Sequence, residues 1–128
     1  MSRLRRSGFT LIELLIVVVI IGILAAIAIP KFKATKGKAN FAALKSDLKN
    51  VSTAEESYFY DHQAYTDVLD SLAFKPSHGV TLTITAGVNG WGATAQHPDS
   101  WPHICALFLG KAVTSIGPAT VEGQITCN

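Results

Sequence analysis

The feature that most constrains this chain is an apolar run near its amino terminus. From Phe9 to Ile29 there are twenty-one residues, and Glu13 is the single charged residue among them. As an α-helix rising about 1.5 Å per residue, this run is about 31 Å long, which matches the hydrocarbon core of a bilayer. In a small protein, an apolar run of this length is typical of a membrane-spanning helix rather than of a buried one.

The overall composition has to be interpreted with this run in mind. Of the 128 residues, 48% are hydrophobic and only 16% are charged, whereas about a quarter of the residues of an average soluble domain are charged. Hydrophobicity at this level excludes an intrinsically disordered chain. The net charge of +2 is too small to indicate a nucleic-acid-binding domain, and two cysteines exclude a disulfide-rich framework.

The residues around the apolar run allow two interpretations. Three arginines and no acid precede it: Arg3, Arg5 and Arg6. A secretory signal peptide would be cleaved at Ala26-Ile27-Ala28 and would release a soluble binding module. Glu13 inside the apolar run, and the abrupt end of the run at Pro30, argue against that cleavage. The second interpretation is a short leader that ends at Gly8, with the apolar helix retained in the product.

The junction of the leader and the apolar run carries a specific motif. The segment Gly8-Phe9-Thr10-Leu11-Ile12-Glu13 resembles the class III signal of type IV pilins and pseudopilins. The resemblance implies that a membrane prepilin peptidase cleaves between Gly8 and Phe9 and then N-methylates Phe9. It also implies that Glu13 pairs with the terminal amine of a neighbouring subunit in the filament. A glycine suits the cleavage position because it allows an extended, accessible backbone.

The same resemblance assigns two further assembly positions and a domain organisation. Gly22 and Pro30 match positions of the family at which the helix is loosened in assembled filaments. We therefore expect a cleaved leader at 1–8 and a long helix at 9–60, with its membrane and assembly half at 9–30. The α+β pilin fold is expected, in which this helix packs on a small antiparallel-sheet head.

The periodicity beyond Pro30 agrees with a long helix and a separate head. Apolar residues recur at steps of three and four and form one stripe: Phe41, Leu44, Leu48, Val51, Ala54 and Tyr58. The head is expected at 61–128, with a connecting region at 61–78 and the antiparallel sheet at 79–128. In the connecting region, Thr66 is the expected N-cap of a short helix.

Three strands are predicted within the head, and the status of a fourth stays open. Residues 80–85 alternate between apolar residues and threonine, which is typical of a half-buried strand. Residues 91–96 would form a hairpin with it, because 87–90 supply turn residues. Residues 103–109 form a third strand, and 121–126 either pair with the sheet or form a closing loop.

The two cysteines allow a disulfide or two buried thiols. Cys105 and Cys127 are twenty-two residues apart, and a disulfide closing such a loop in an oxidising compartment would contribute about 3 kcal/mol. Pilins often tie down their carboxy-terminal segment in this way, and the resemblance implies that the loop between the cysteines is exposed.

No site for catalysis, a metal or a cofactor is expected. His97 and His103 lie close in sequence, but their spacing fits no common zinc pattern, and histidines beside prolines are usually solvated turn residues. No nucleophile, phosphate-binding loop or carboxylate pair has a catalytic motif around it, so an enzyme is not expected. A nucleic-acid site cannot be identified.

The expected function is that of a structural subunit of a type IV pilus, and a type II secretion pseudopilin is the alternative. Major pseudopilins resemble one another in a calcium-binding loop with Asp-Pro-Trp-Gly, whereas this chain has Gly90-Trp91-Gly92. The expected partners are identical subunits, a prepilin peptidase, and an inner-membrane assembly platform with a separate ATPase. The precursor would be a single-pass inner-membrane protein and the product an extracellular pilus.

Charge is unevenly distributed along the chain. Residues 31–49 include six lysines and one acid, Asp47, whereas residues 50–128 include two lysines and seven acids. This pattern allows complementary contacts between staggered subunits, or a basic patch that faces anionic lipid headgroups.

Overall fold

A computed structural model of the chain describes residues 8–128 except 112 and 114. The secondary structure elements are a helix, α1 (Leu11–His62), a short 3₁₀ helix (Leu69–Leu72), and four strands, β1 (Thr81–Gly87), β2 (Gly90–Gln96), β3 (Ile104–Gly110) and β4 (Thr126–Cys127). The predicted α+β class, with one long helix and a small antiparallel sheet, is confirmed. The chain divides into two compact units, an amino-terminal unit that ends at Thr35 and a head unit, Lys36–Asn128.

Both ends of α1 have a local physical cause. At the start, the backbone carbonyl of Thr10 accepts the first helical hydrogen bond, from the Leu14 N–H. At the end, Gln63 has a positive φ of 55°, and its side-chain amide donates to the carbonyl of Tyr60 at 3.3 Å. Left-handed residues commonly end helices in this way. The helix runs through Pro30, and it extends two residues beyond the predicted end at residue 60.

The core of the head unit lies between α1 and one face of the sheet. Leu44, Leu48 and Val51 of the predicted apolar stripe are completely buried, and they pack in one cluster with the sheet residues Trp91 and Ala93. Tyr58, Phe41 and Ala54 lie at the edge of this cluster. Because these positions recur at steps of three and four, one face of the helix supplies its whole contribution to the core.

Two acids also lie on the buried face of α1, which the apolar pattern does not predict. Asp47 is 2% exposed and Glu55 is fully buried. Asp47 accepts hydrogen bonds from the Ser77 N–H at 2.8 Å and from the Ser77 hydroxyl at 2.9 Å. Glu55 Oε2 accepts from the Thr66 N–H at 3.2 Å. Both carboxylates therefore tie the segment between α1 and β1 to the helix.

The sheet is an antiparallel meander in the order β1-β2-β3-β4. The register pairs Ile84 with Ala93 and Ala93 with Leu107, so that these three side chains share the face covered by α1. Gly90, the first residue of β2, pairs with Gly110, the last residue of β3. A side chain on Gly90 would collide with the Leu109 carbonyl oxygen, so glycine is required for the close approach of these strands. Of residues 121–126, whose pairing was left open, only Thr126 belongs to a strand, and 121–125 form the loop before β4.

The segment that joins β3 and β4 covers part of the opposite face of the sheet. Val113, Ile116 and Ala119 form a second apolar cluster with Ala106 and Phe108 of β3. The resemblance implied an exposed loop here, and this expectation is wrong for these apolar side chains. Burying them on the sheet removes apolar surface from water, which stabilises the packed arrangement.

The prediction that Thr66 is the N-cap of the short helix is also wrong. The Thr66 hydroxyl accepts a hydrogen bond from the Val68 N–H at 3.1 Å, and the 3₁₀ helix begins later, after Val68, which makes no side-chain cap. The Thr66 N–H donates to Glu55, so Thr66 is bound to α1 and does not cap the short helix.

Candidate functional site

The predicted processing site lies in non-helical chain just before α1. Gly8, Phe9 and Thr10 are exposed and precede the first helical residue, and Phe9 is 85% exposed. A Cβ atom added to Gly8 would meet nothing within 4 Å, so no contact within this chain requires a glycine at this position. The rest of the predicted leader, with its three arginines, lies outside the described residues.

Thr10 and Glu13 form a reciprocal hydrogen-bonded cap at the start of α1. Glu13 Oε2 accepts from the Thr10 N–H at 2.8 Å and from the Thr10 hydroxyl at 2.7 Å. The Glu13 N–H donates to the Thr10 hydroxyl oxygen at 3.3 Å. This is the capping-box arrangement, in which side chains satisfy backbone N–H groups that the first turn of a helix leaves free. Sequence reasoning missed Thr10, although the spacing Thr-x-x-Glu before an apolar run is the signal of such a cap.

Among the described residues of the amino-terminal unit, nothing packs over the apolar part of α1. Its most apolar window of 18 residues has a mean hydropathy of 3.2, and none of that window is buried. By length and composition α1 can therefore cross a membrane. Side chains on all faces are exposed, from Leu11 at 84% to Val17 at 47%. Because so much apolar surface is unstable in water, this segment requires lipid or another apolar surface around it.

Gly22 and Pro30 both lie inside α1. A Cβ atom added to Gly22 would meet nothing within 4 Å in this chain, so packing within the chain does not demand a small residue there. Pro30 lacks a backbone N–H, and one helical hydrogen bond is therefore missing at that position. Both residues are weak points of an otherwise regular helix.

In the head unit, the two cysteines are bonded to each other. Cys105 of β3 and Cys127 of β4 form a disulfide with their Cα atoms 4.0 Å apart, and the two residues are direct partners in the register of the strands. Asn128 and Ile104 extend the pairing by two backbone hydrogen bonds, of 2.9 and 3.2 Å. The alternative of two buried thiols is thereby excluded.

The histidines do not come together into a metal-binding cluster. His97 is buried, and its Nδ1 accepts a hydrogen bond from the Asp99 N–H at 3.0 Å. His103 instead makes an edge-to-face contact with Trp101, with ring centroids 5.1 Å apart. Within the described part of the chain, no group of three or more histidine, cysteine, aspartate or glutamate residues could hold a metal ion.

Burial perturbs one carboxylate of the head unit. Desolvation raises the pKa of Glu55 above the ordinary value of 4.5, the hydrogen bond from Thr66 opposes this effect, and the negative charges of Glu56 and Asp67 add to it. Burial likewise raises the pKa of Tyr65, next to Glu56. The connection between α1 and β1 is thus held by a carboxylate that burial drives toward its neutral form.

A methylation-type junction, a helix that can span a membrane, and an antiparallel-sheet head together define the class of prepilin-like proteins. A family model for the prokaryotic N-terminal methylation motif matches residues 3–29. The type IV major pilin protein PilA of Myxococcus xanthus is 47% identical over 59% of this chain, which spans 34% of that relative. The type II secretion system core protein G of Pseudomonas aeruginosa is 40% identical over 60% of this chain, which spans 56% of that relative.

A further relative matches nearly the whole chain. The type IV major fimbrial protein FimA of Dichelobacter nodosus is 33% identical over 95% of this chain, and the match covers 87% of FimA. The chain belongs to the type IV pilin family. Its pilin and fimbrial relatives are structural proteins rather than enzymes.

Proposed function

We propose that this chain is a structural subunit of a type IV pilus and assembles into an extracellular filament through the apolar part of α1. The observation that carries the proposal is the apolar window of α1, none of which is buried, on a chain whose head unit has its own buried core. In the membrane, lipid covers this surface, and in a filament the helices of neighbouring subunits cover it. The similarity to a type IV major pilin and to a type IV major fimbrial protein supports this choice.

Processing would convert the membrane precursor into the assembling subunit. A prepilin peptidase would cleave between Gly8 and Phe9 and methylate the new amine of Phe9. Support comes from the match to the methylation motif and from the exposed, non-helical backbone at these residues. Since the surroundings of Gly8 in this chain are open, the glycine suits recognition by the enzyme rather than packing.

Glu13 would then have two successive partners. In the separate subunit its carboxylate is bound to Thr10, which lowers the cost of holding a charge near the end of a membrane helix. In the filament it would pair with the methylated amine of Phe9 of a neighbouring subunit. The pairing neutralises two charges away from water, and it requires an axial offset of four residues, or about 6 Å.

Small residues would allow the helices to approach one another in the filament. Gly22 and the three alanines at 25, 26 and 28 have little side chain to separate two helix backbones. Pro30 and Gly22 would loosen α1 as the subunit leaves the bilayer. An inner-membrane platform with its own ATPase would drive this step, and the subunit would pass from the inner membrane to the cell surface.

A second candidate function is that of a type II secretion pseudopilin. The 40% identity to a core protein G favours it, but that match covers 60% of this chain and 56% of the relative. The match to FimA extends through the head unit, so the pilin proposal has the broader support.

The decisive experiment is to identify the chain in filaments sheared from the cell surface. Mass spectrometry of these filaments should give a mature chain that begins with N-methylated Phe9. Deletion of the gene should remove the filaments that an antibody against this chain labels. A mature chain that begins at Ile29, or filaments that lack the chain while its deletion abolishes protein secretion, would contradict the proposal.

A further inference from the structure

The apolar part of α1 supplies surface for assembly, but it does little to select the axial offset between two neighbouring subunits. Its side chains are mostly leucine, isoleucine and valine on every face of the helix. Sliding one such helix along a parallel copy by a turn replaces one aliphatic contact with a similar one. Polar contacts must therefore select the axial offset between subunits, because their partners are not interchangeable.

One exposed face of α1 in the head unit carries a stripe of positive charge, the lysine stripe: Lys38, Lys45 and Lys49. All three are exposed, and their spacings of seven and four residues place them on one side of the helix. Lys45 Nζ lies 4.5 Å from the centre of the Phe41 ring, which holds this side chain along the helix. Asp47 cannot offset this charge at the surface, because it is buried and bound to Ser77.

The same face of α1 becomes negative near its end, at Glu56, and a second acid, Asp67, follows in the segment after the helix; these two residues are called the acidic end. Glu56 follows Lys38 by eighteen residues, which is about five helical turns, so it continues the line of the stripe. It is exposed, and it accepts a hydrogen bond from the Tyr65 hydroxyl at 3.5 Å. Asp67 is exposed in the adjoining segment, and no lysine or arginine occurs in residues 50–74.

Within one chain these helical charges are held apart. The nearest lysine of the stripe, Lys49, precedes Glu56 by seven residues, or about 10 Å along the helix axis. Two parallel copies without an axial offset would place lysine beside lysine and glutamate beside glutamate, which is repulsive. An offset of seven to eighteen residues, about 10 to 27 Å, would place opposite charges side by side.

We propose that the lysine stripe of one subunit contacts the acidic end of a parallel second copy of this chain, and that this contact sets the axial offset between them. The proposal rests on the proposed filament function. The offset exceeds the 6 Å or so that the pairing of Glu13 with Phe9 requires, so the two contacts join a subunit to different neighbours. Exposed ion pairs add little affinity, and their effect here is to select one arrangement among many of similar apolar contact.

A charge exchange in the full-length protein tests this contact. Lys45→Glu/Lys49→Glu should reduce sheared filaments by about tenfold, while the amount of processed protein in the membrane stays unchanged. Glu56→Lys should cause a similar loss. Combining the three substitutions restores opposite charges at the contact, and the filament yield should recover to near that of the wild type.

A matched control uses lysines away from the stripe. Lys36 precedes Lys45 by nine residues, or about two and a half turns, and therefore lies on the opposite side of α1. Lys36→Glu/Lys75→Glu changes the net charge by the same amount, and its filament yield should be unchanged. An equal loss in this control would mean that net charge, and not the stripe, is responsible, and would overturn the inference.

Three other outcomes are equally informative. Normal filament yield from Lys45→Glu/Lys49→Glu would overturn the contact and leave the pilus function intact. If the stripe binds anionic lipid headgroups instead, adding Glu56→Lys to that variant would not restore its filament yield, which also overturns the contact. Absence of the wild-type chain from filaments would instead contradict the proposed function on which the contact rests.

Discussion

Three carboxylates on α1 have three different environments. Glu13 is exposed and caps the start of the helix through Thr10. Asp47 is buried and accepts two hydrogen bonds from Ser77. Glu55 is buried with one hydrogen bond, from the Thr66 N–H. The residue type alone does not distinguish them, because the difference lies in what each side chain contacts.

For Glu13, charge and capping can be separated by substitution. Glu13→Val should still insert into the membrane but give few filaments, because it has neither the cap nor the charge that would pair with Phe9. Glu13→Gln keeps the capping geometry and loses the charge, so it should also assemble poorly, by about tenfold or more. Filament yield per membrane-bound subunit is the measurement. Normal assembly of both variants would contradict the pairing.

For Glu55, the pH dependence of stability has a definite sign. Since its pKa is raised in the folded protein, the folded state binds more protons than the unfolded state above pH 4.5. The contribution of Glu55 to the free energy of unfolding is therefore largest below pH 4.5 and is lost as the pH rises through the raised pKa. Glu55→Gln should remove this part of the pH dependence, which urea unfolding at a series of pH values would measure. A variant with an unchanged pH profile would refute this assignment.

At the level of elements, the side chains that link α1 to the segment before β1 decide how the head closes. The apolar stripe of α1 and the alternation of β1 could both be predicted, because each is a local periodicity. The linkage by Asp47 and Glu55 could not be predicted, because their partners Ser77 and Thr66 lie thirty and eleven residues away. The capping box at Thr10 was predictable in principle from its local spacing.

Removing the Asp47 linkage should destabilise the head unit. Asp47→Ala leaves the Ser77 N–H and hydroxyl without their acceptor, and hydrogen bonds to charged groups contribute about 1.5 to 3 kcal/mol each. We expect a loss of about 3 kcal/mol in the free energy of unfolding, measured by the fluorescence of buried Trp91 in urea. The control Ser77→Ala keeps the backbone bond and should lose about 1.5 kcal/mol. Equal losses in the two variants would contradict a separate contribution from the backbone N–H.

For the whole molecule, the disulfide closes the part of the fold that is farthest from α1 in sequence. It joins Cys105 to Cys127, and the segment between them packs Ile116 and Ala119 on the outer face of the sheet. β4 is only two residues long, so the disulfide adds a covalent link to a short strand pairing.

Loss of the disulfide should therefore loosen the carboxy-terminal segment of the head. Cys105→Ser/Cys127→Ser should lower the free energy of unfolding by about 3 kcal/mol, because the unfolded chain gains the freedom that the closed loop removed. Proteolysis within residues 111–125 should become faster. Reductant should have the same effect on the wild type and none on the double variant. Unchanged stability of the double variant would contradict a stabilising role.

The sequence by itself determined the apolar helix, the amphipathic stripe and the alternation of β1, because each depends on residues close together in the chain, and the capping box at Thr10, although it was missed, has the same local origin. Only the tertiary structure decided that Asp47 and Glu55 are buried, that Cys105 and Cys127 are direct strand partners, and that part of the segment between them covers the sheet. These features depend on contacts between residues far apart in sequence, which no local pattern specifies. The exposure of the apolar helix was expected from the sequence and is observed in the structure, because the helix is longer than the head unit can cover.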